Sequence, residues 1–364
     1  MCVATHDLGI RRLFDLATVL MLLDCRPGDR VLDLGAGSGF SSEMLARFGY
    51  QVAAVDPDLP ALRHNRRRQG FDPSRIEGRV HVAVGVAERL PFADRTFDGA
   101  VGLNVLHHVP DLAGAIAEIA RVLRPGARFV GCEPGLDHLE DAESVRAVRE
   151  HGENDRPFDV IQFLEVATAL GFSRALLPAT LHSALRLVPL EEIDMFRTGW
   201  HPRDTLTNEG VVQELHRKHA YAMLVRDGER VPTSRKPGKL RCELAVSRLA
   251  GPLGPGQTGT VTATITNIGD TVWLAGQSPL GGFVTVGCKL TTPSGRLISD
   301  TIGRTFLPAD VAPDGKVSID IQLPIPPDLN PGEYELVVDL VNELVCWFSD
   351  LPGNVADRQP LVVS

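Results

Sequence analysis

Short apolar runs ending in an acid or a glycine recur through the first third of the chain: "RVLDLG" (30–35), "QVAAVD" (51–56), "VHVAVG" (80–85), "FDGAVGLN" (97–104) and "ARFVGCEP" (127–134). Runs of this length read as buried strands. Between them, at 41–49, 59–70 and 112–123, apolar residues fall at helical spacing. "LFDLATVLMLLD" (13–24) has an apolar face of the same period and predicts an amphipathic helix packed on a core. Strands alternating with helices predict a parallel, doubly wound sheet covered on both faces. "RPGA" (124–127) predicts a helix stop and turn before the fifth strand.

The texture then changes. "PFDVIQFLEVATALGF" (157–172) and "NEGVVQELHRKHAYAMLV" (208–225) read as helices, so residues 137–225 are expected to form a partly helical region. "RDGERVPTSRKPGK" (226–239) is polar and rich in turn residues, and reads as a linker between a first domain (1–225) and a second (240–364). Beyond 240, "TVTATITNIG", "GGFVTVGCKL", "KVSIDIQL" and "GEYELVVDLV" are strand-like, separated by "NIGD", "TPSG", "APDG" and "LNPG". In the third, Val317, Ile319, Ile321 and Leu323 share one face, and Ser318, Asp320 and Gln322 the other. Seven or eight such strands predict an all-β sandwich with its own core.

Composition narrows the picture. A chain of 364 residues is long for one domain, and 43% hydrophobic with 23% charged residues suits folded globular units. The net charge of −9 disfavours nucleic acid and anionic lipid as partners. The one dense basic cluster, "RHNRRRQG" (63–70), reads as a solvated helix end. No stretch is apolar and long enough to span a bilayer, and no secretory leader is evident, so no membrane insertion is expected. The cysteines at 2, 25, 132, 242, 288 and 346 are scattered, with no C-x-x-C. That favours buried thiols in a reducing compartment, hence a cytoplasmic location.

The chemistry centres on "VLDLGAGSGF" (31–40). Neither Gly35 nor Gly37 begins the G-x-G-x-x-G of a dinucleotide site, and no Gly-Lys-Ser/Thr of a phosphate loop follows. What stands there is Asp33-x-Gly35-x-Gly37-x-Gly39 at a strand end. The glycines let the backbone turn tightly and approach a ligand. The following helix start presents amides that suit a carboxylate, and Asp33 suits an ammonium beside it. Asp56, at the next strand end, is placed to accept from ribose hydroxyls. An amino acid joined to a nucleoside describes S-adenosylmethionine. The structural alternative is that Asp33 caps a helix and the glycines only shape a turn.

With these motifs, "AERLPFADRTFDGAVGLNVLHHVPD" (87–111) and "EIARVLRPGARFVGCEPG" (118–135), the sequence resembles the class I S-adenosylmethionine-dependent methyltransferases. The resemblance implies a Rossmann-like methyltransferase sheet with S-adenosyl-L-methionine as cofactor. Asp33, Gly35, Ala36, Gly37 and Gly39 then match the loop around the methionine part, and Asp56 with Pro57 the ribose side. Val86, Ala87 and Glu88 match the segment along the adenine, and Asn104 a position near the methionine. Many relatives carry Asp where this chain has Val86, so one adenine contact is in doubt.

For transfer to a hydroxyl, a base must take the acceptor's proton. "LHHVPD" supplies His107 and His108, and "EPGLDHLED" supplies Glu133, Asp137 and His138. His138 and His108 are the candidate catalytic residues, the alternative being local packing; Asp137 and Glu133 are candidate orienters of His138. No His/Cys/Asp grouping has metal-ligand spacing along the chain, so no metal is expected. "NIGDTVW" (267–273) and "GEYELVVDLVNELVCWFSD" (332–350) resemble immunoglobulin-like β-sandwich domains appended to enzymes of bacterial polysaccharide assembly. That resemblance implies a glycan or nucleotide-sugar acceptor, with glycan or polysaccharide-assembly proteins as partners of the second domain. Trp273, Trp347 and Phe348 would either stack on a sugar or fill its core. The competing expectations are O- or C-methylation of a natural product or small metabolite, and a non-catalytic binding or scaffold protein.

Overall fold

The computed structural model describes residues 2–62, 78–140, 155–178, 219–278 and 280–364. The basic cluster at 63–70, most of the expected helix 59–70, and residues 208–218 of the last expected helix lie outside these. The chain divides into two units, 1–230 and 231–364.

In the first unit, helix α1 (Cys2–Leu23) precedes strand β1 (Arg30–Leu34), helix α2 (Phe40–Arg47), β2 (Gln51–Asp56), β3 (Arg79–Val84) and β4 (Phe97–Leu103). There follow α3 (Leu112–Val122), β5 (Leu123–Pro134), α4 (Val160–Ala169), β6 (Phe172–Leu176) and β7 (His219–Arg226). One sheet has the order β3-β2-β1-β4-β5-β7-β6. β1 to β5 pair in parallel, whereas β7 runs antiparallel to both neighbours. Two cores flank it. One joins Leu32, Phe129, Ile116, Ile119 and Phe163; the other joins Val19, Leu23, Val31, Leu45 and Val101. Within the helix predicted at 13–24, Val19 and Leu23 are buried, and Asp15 inside it is buried too, accepting a hydrogen bond from Tyr221 of β7 at 2.7 Å.

Three expectations change here. Residues 219–225 are strand, not helix: Ala220, Tyr221, Ala222 and Leu224 are all buried in a strand flanked on both sides. A fully buried strand and a helix segment look alike in such a run. Phe172–Leu176 is also a strand, and its first residue closes the stretch read as a helix at 157–172. "RPGA" lies inside β5, where Gly126 (φ +69°) accompanies a register shift against β4. A break in pairing absorbs the turn residues without ending the strand.

Among its described residues the second unit has eight strands in two sheets. β8 (Cys242–Val246), β9 (Thr258–Asn267) and β12 (Lys316–Pro324) form one. β10 (Val284–Thr291), β11 (Leu297–Phe306), β13 (Gly332–Asn342), β14 (Cys346–Trp347) and β15 (Asp357–Val363) form the other. Residues from both enter one core that includes Val261, Ile265, Ile321, Val286, Leu340 and Leu361. The β12 alternation holds at Ile319, Ile321 and Leu323, which are buried. On the opposite face Ser318, Asp320 and Gln322 hydrogen-bond Thr264, Thr262 and Thr260 across the strand pair. Trp273 and Phe348 lie wholly in the core, edge to face at 5.4 Å, while Lys289 Nζ stands 3.6 Å from the centre of the Trp347 ring.

The boundary between the two units, at 230/231, falls inside the expected linker 226–239, whose two ends belong to the flanking units. Arg226 ends β7, and Ser234 is buried in the second unit, donating to Gly282 and receiving the Asn342 amide on its carbonyl. Backbone donors and acceptors satisfied by their own unit cannot serve as a free tether. Cys25, Cys242 and Cys288 are buried free thiols, and Cys132 is buried as well. No helix among the described residues is long and apolar enough to cross a membrane.

Candidate functional site

The loop after β1 is built from left-handed glycines. Gly35, Gly37 and Gly39 have φ of +66°, +48° and +88°, conformations that other residues adopt only with strain. Val105 crowds the place where a Cβ on Gly35 would sit, whereas a Cβ on Gly37 would meet nothing within 4 Å. Ala36 donates to the Val55 carbonyl at 3.0 Å, and Gly39 both closes the turn onto Ala36 and begins α2.

Asp33 is buried at the end of β1. Its Oδ2 accepts from the hydroxyls of Ser41 and Ser42 on α2, and its Oδ1 has no partner. Burial pushes its carboxyl up to about 6 against the pull of the two serine hydroxyls, with Asp56 adding to the rise. A buried acceptor atom without a donor beside glycine backbone fits a ligand carrying an ammonium group. Asp56 does more than the expected ribose contact requires. Its Oδ2 accepts from the Gly37 amide and its Oδ1 from the Asp58 amide, both at 2.8 Å, so it also closes the glycine loop onto β2.

A mostly apolar pocket opens beside this loop. Leu34, Gly35, Val55, Pro57, Val86, Ala87, Glu88, Val105 and His108 are among its walls. The segment 86–88 therefore forms one side of this pocket. Arg121 of α3 steadies the stretch that follows, donating to the carbonyls of Leu90 and Phe92 and to Asp94, while Glu118 accepts from the Leu90 amide. The Arg121 guanidinium holds the Glu118 carboxyl below its usual range. Asn104, at φ +53°, turns the chain out of β4 and donates to the Cys132 carbonyl.

Beyond Asn104 stands a cluster that the linear sequence does not display. Glu133, buried at the end of β5, accepts from the amides of Val105, Leu106 and His107 and from His107 Nδ1 at 2.7 Å. It thereby shapes the short 3-10 turn Leu106–His108. Glu133 thus orients His107, not His138. The carboxylate facing His138 is Asp155, just before α4: Oδ2 lies 3.3 Å from His138 Nε2, and Oδ1 lies 3.0 Å from His108 Nδ1. The two candidate catalytic histidines both face this one carboxylate. The sequence reading missed Asp155, because nothing local marks it.

Residues 32–131 match the family model described as "Methyltransferase domain". That segment carries a methyltransferase domain of the S-adenosylmethionine-dependent class. Similar to it are demethylmenaquinone methyltransferases of Thermobifida fusca (41% identical over 133 residues, 36% of this chain and 54% of that one) and Corynebacterium kroppenstedtii (39% over 111 residues, 30% and 44%). The chain spans about half the length of these relatives. A solved S-adenosylmethionine-dependent methyltransferase from Mesorhizobium loti is similar at 17% identity and a TM-score of 0.43, over 58% of this chain and 96% of that one. In the methyltransferase domain the matched segment holds the glycine loop, Asp56, the adenine-side stretch and the turn bearing His107 and His108. His138 and Asp155 lie beyond it.

Proposed function

We propose that the chain moves a methyl group from S-adenosylmethionine to a hydroxyl of a small-molecule or sugar acceptor. The observation that carries this reading is a pocket whose wall joins Gly35 of the glycine loop to His108, with the buried, half-partnered Asp33 at the end of the strand leading into that loop. Asp33 Oδ1 would take the cofactor's ammonium, the glycine loop 35–39 would pass along its methionine part, Asp56 would meet the ribose, and Val86 and Ala87 the adenine face. The bound cofactor supplies a methyl group on a sulfonium, a strong electrophile that needs no activation by the protein.

The protein's work falls on the acceptor. A hydroxyl is a weak nucleophile while protonated, so His108 takes its proton as the methyl is transferred. Asp155 Oδ1 stands 3.0 Å from His108 Nδ1, a carboxylate beside the ring that would favour its protonated form as the proton is taken. His108 serves better than His138 for this step because it lines the pocket. Apolar walls exclude water, which would otherwise compete for the proton and the methyl.

A sugar in a glycan or nucleotide-sugar is the preferred acceptor. Its support is the likeness of the second unit's "NIGDTVW" and "GEYELVVDLV" segments to immunoglobulin-like domains of polysaccharide-assembly enzymes, which would place the reaction in the cytoplasm. The second reading is a small ring metabolite, supported by relatives named demethylmenaquinone methyltransferases. Calorimetric titration with S-adenosylmethionine tests the cofactor site: Asp56→Ala should weaken binding tenfold or more, since a charge-assisted hydrogen bond contributes about 1.5–3 kcal/mol. Turnover on nucleotide-sugars against quinol-type acceptors decides the substrate. With an acceptor in hand, His108→Gln should lose ~10²–10⁴ in rate with cofactor affinity retained.

A further inference from the structure

The geometry points to a divalent transition-metal site formed by His107, His138 and Asp155, beside the methyl-acceptor end of the pocket. These residues come from three separate segments: the turn after β4, the turn after β5, and the approach to α4. One ligand atom from each lies within 4.8 Å of the other two. The expectation of no metal rested on spacing along the chain, which cannot show a convergence of this kind.

Three features distinguish the cluster from a chance meeting of polar side chains. First, the separations suit coordination. Two ligands each ~2.1 Å from a tetrahedral ion stand roughly 3.4 Å apart, and His138 Nε2 is 3.3 Å from Asp155 Oδ2. Second, His107 has the outer partner that metal-binding imidazoles use. Glu133 accepts from its Nδ1 at 2.7 Å, fixing the tautomer and leaving Nε2 as the coordinating atom. Glu133 is itself immobilised by three backbone amides, so the ring is set before any ion arrives. Third, the Asp155 side chain is almost wholly buried between imidazoles. A carboxylate withdrawn from water calls for a cation or hydrogen bonds in exchange, and an ion between it and two imidazoles supplies the cation.

Two imidazoles and one carboxylate suit zinc, iron(II), cobalt(II) or manganese(II) better than calcium or magnesium, which prefer all-oxygen sets. Three protein ligands leave at least one position for an oxygen of solvent or acceptor, as in catalytic sites. Held there, an acceptor hydroxyl would lose its proton more readily, with His108 on the other oxygen of Asp155 to receive it. This role rests on the proposed transferase reading; ion binding itself does not.

The test is equilibrium dialysis of the full-length chain against zinc, cobalt(II) and manganese(II), with metal content read by elemental mass spectrometry and cobalt coordination by its visible absorption. The expected result is one ion per chain at micromolar free metal, with at least a tenfold loss of affinity in both His138→Gln and Asp155→Asn and retention in His108→Gln. If the wild-type chain retains none of the three ions, the site is refuted whatever the variants do. Unchanged binding in both His138→Gln and Asp155→Asn refutes it as well. Calorimetry with S-adenosylmethionine on the same samples separates the two readings. Cofactor binding without ion binding overturns the metal site alone, and ion binding without cofactor binding overturns the transferase reading alone.

Discussion

Replacing Asp33 with asparagine should make the ligand-free protein more stable while destroying its cofactor site. The side chain is buried at the end of β1, with one oxygen held by two serine hydroxyls and the other unpartnered. Burial moves its carboxyl from the ordinary 3.8 to about 6. A rise of about two units corresponds to roughly 3 kcal/mol of folding free energy lost when the group is ionised. The sign follows from proton binding. Below pH ~4 the acid is protonated in both folded and unfolded chains, and nothing is lost. Between pH ~4 and ~6 the unfolded chain ionises first, so stability falls, and above pH ~6 the full loss persists. Asparagine keeps an acceptor for Ser41 and Ser42 and carries no charge. Differential scanning calorimetry at pH 7.5 should show the transition of the first unit raised by about 6–12 °C in Asp33→Asn. The gap should close as pH drops to ~4. S-adenosylmethionine at a hundredfold its dissociation constant should stabilise the wild type by about 2.7 kcal/mol and the variant by far less. A variant that melts at or below the wild type at pH 7.5, or a gap constant from pH 4 to 8, would refute the assignment of Asp33 as a strained buried anion.

Gly35→Ala places a Cβ 2.6 Å from Val105 Cβ at a positive φ, and should cost about 1–3 kcal/mol of stability as well as cofactor affinity; urea denaturation and calorimetry read the two separately. Tyr221→Phe removes a hydrogen bond from the buried Asp15 carboxylate and should destabilise the first unit by about 1–3 kcal/mol, a loss that Asp15→Asn in the same chain should partly relieve in a double-mutant cycle. Ile321→Ala in the second unit's core should cost about 2–5 kcal/mol, read as a fall in that unit's melting transition with cofactor titration unaltered.

The parts of the molecule written locally were the legible ones. The glycine loop, its flanking acids and the strands β1 to β4 occupy short stretches whose residue types need each other within a few positions. The alternation of β12 announced its buried face because only that face is covered. β7 was misread because both its neighbours and both its faces are protein, which erases the period-two signal and leaves "HAYAMLV" as consistent with a helix as with a strand. "RPGA" was misread because a register shift lets turn residues sit inside a strand. Asp155 was invisible for a different reason. Its importance comes from His108 and His138 lying on either side of it, a property of three loops meeting and not of any one of them. Glu133 could be noticed as an acid at a strand end, but its three amide donors could not.

The antiparallel insertion of β7 between β5 and β6 has a consequence for biosynthesis. β6 leaves the ribosome before β7, yet it has no place in the sheet until β7 arrives to join it to β5. Until residue 226 has emerged, the nascent sheet ends at β5, whose outer edge is unpaired, and Asp15 on the first helix waits for a tyrosine more than two hundred residues downstream. The first unit therefore cannot mature progressively from its N-terminus. A nascent chain stalled before residue 219 carries an open strand edge and lacks the tyrosine that bonds Asp15, the state most in need of a chaperone or most exposed to pairing with its neighbours on a polysome.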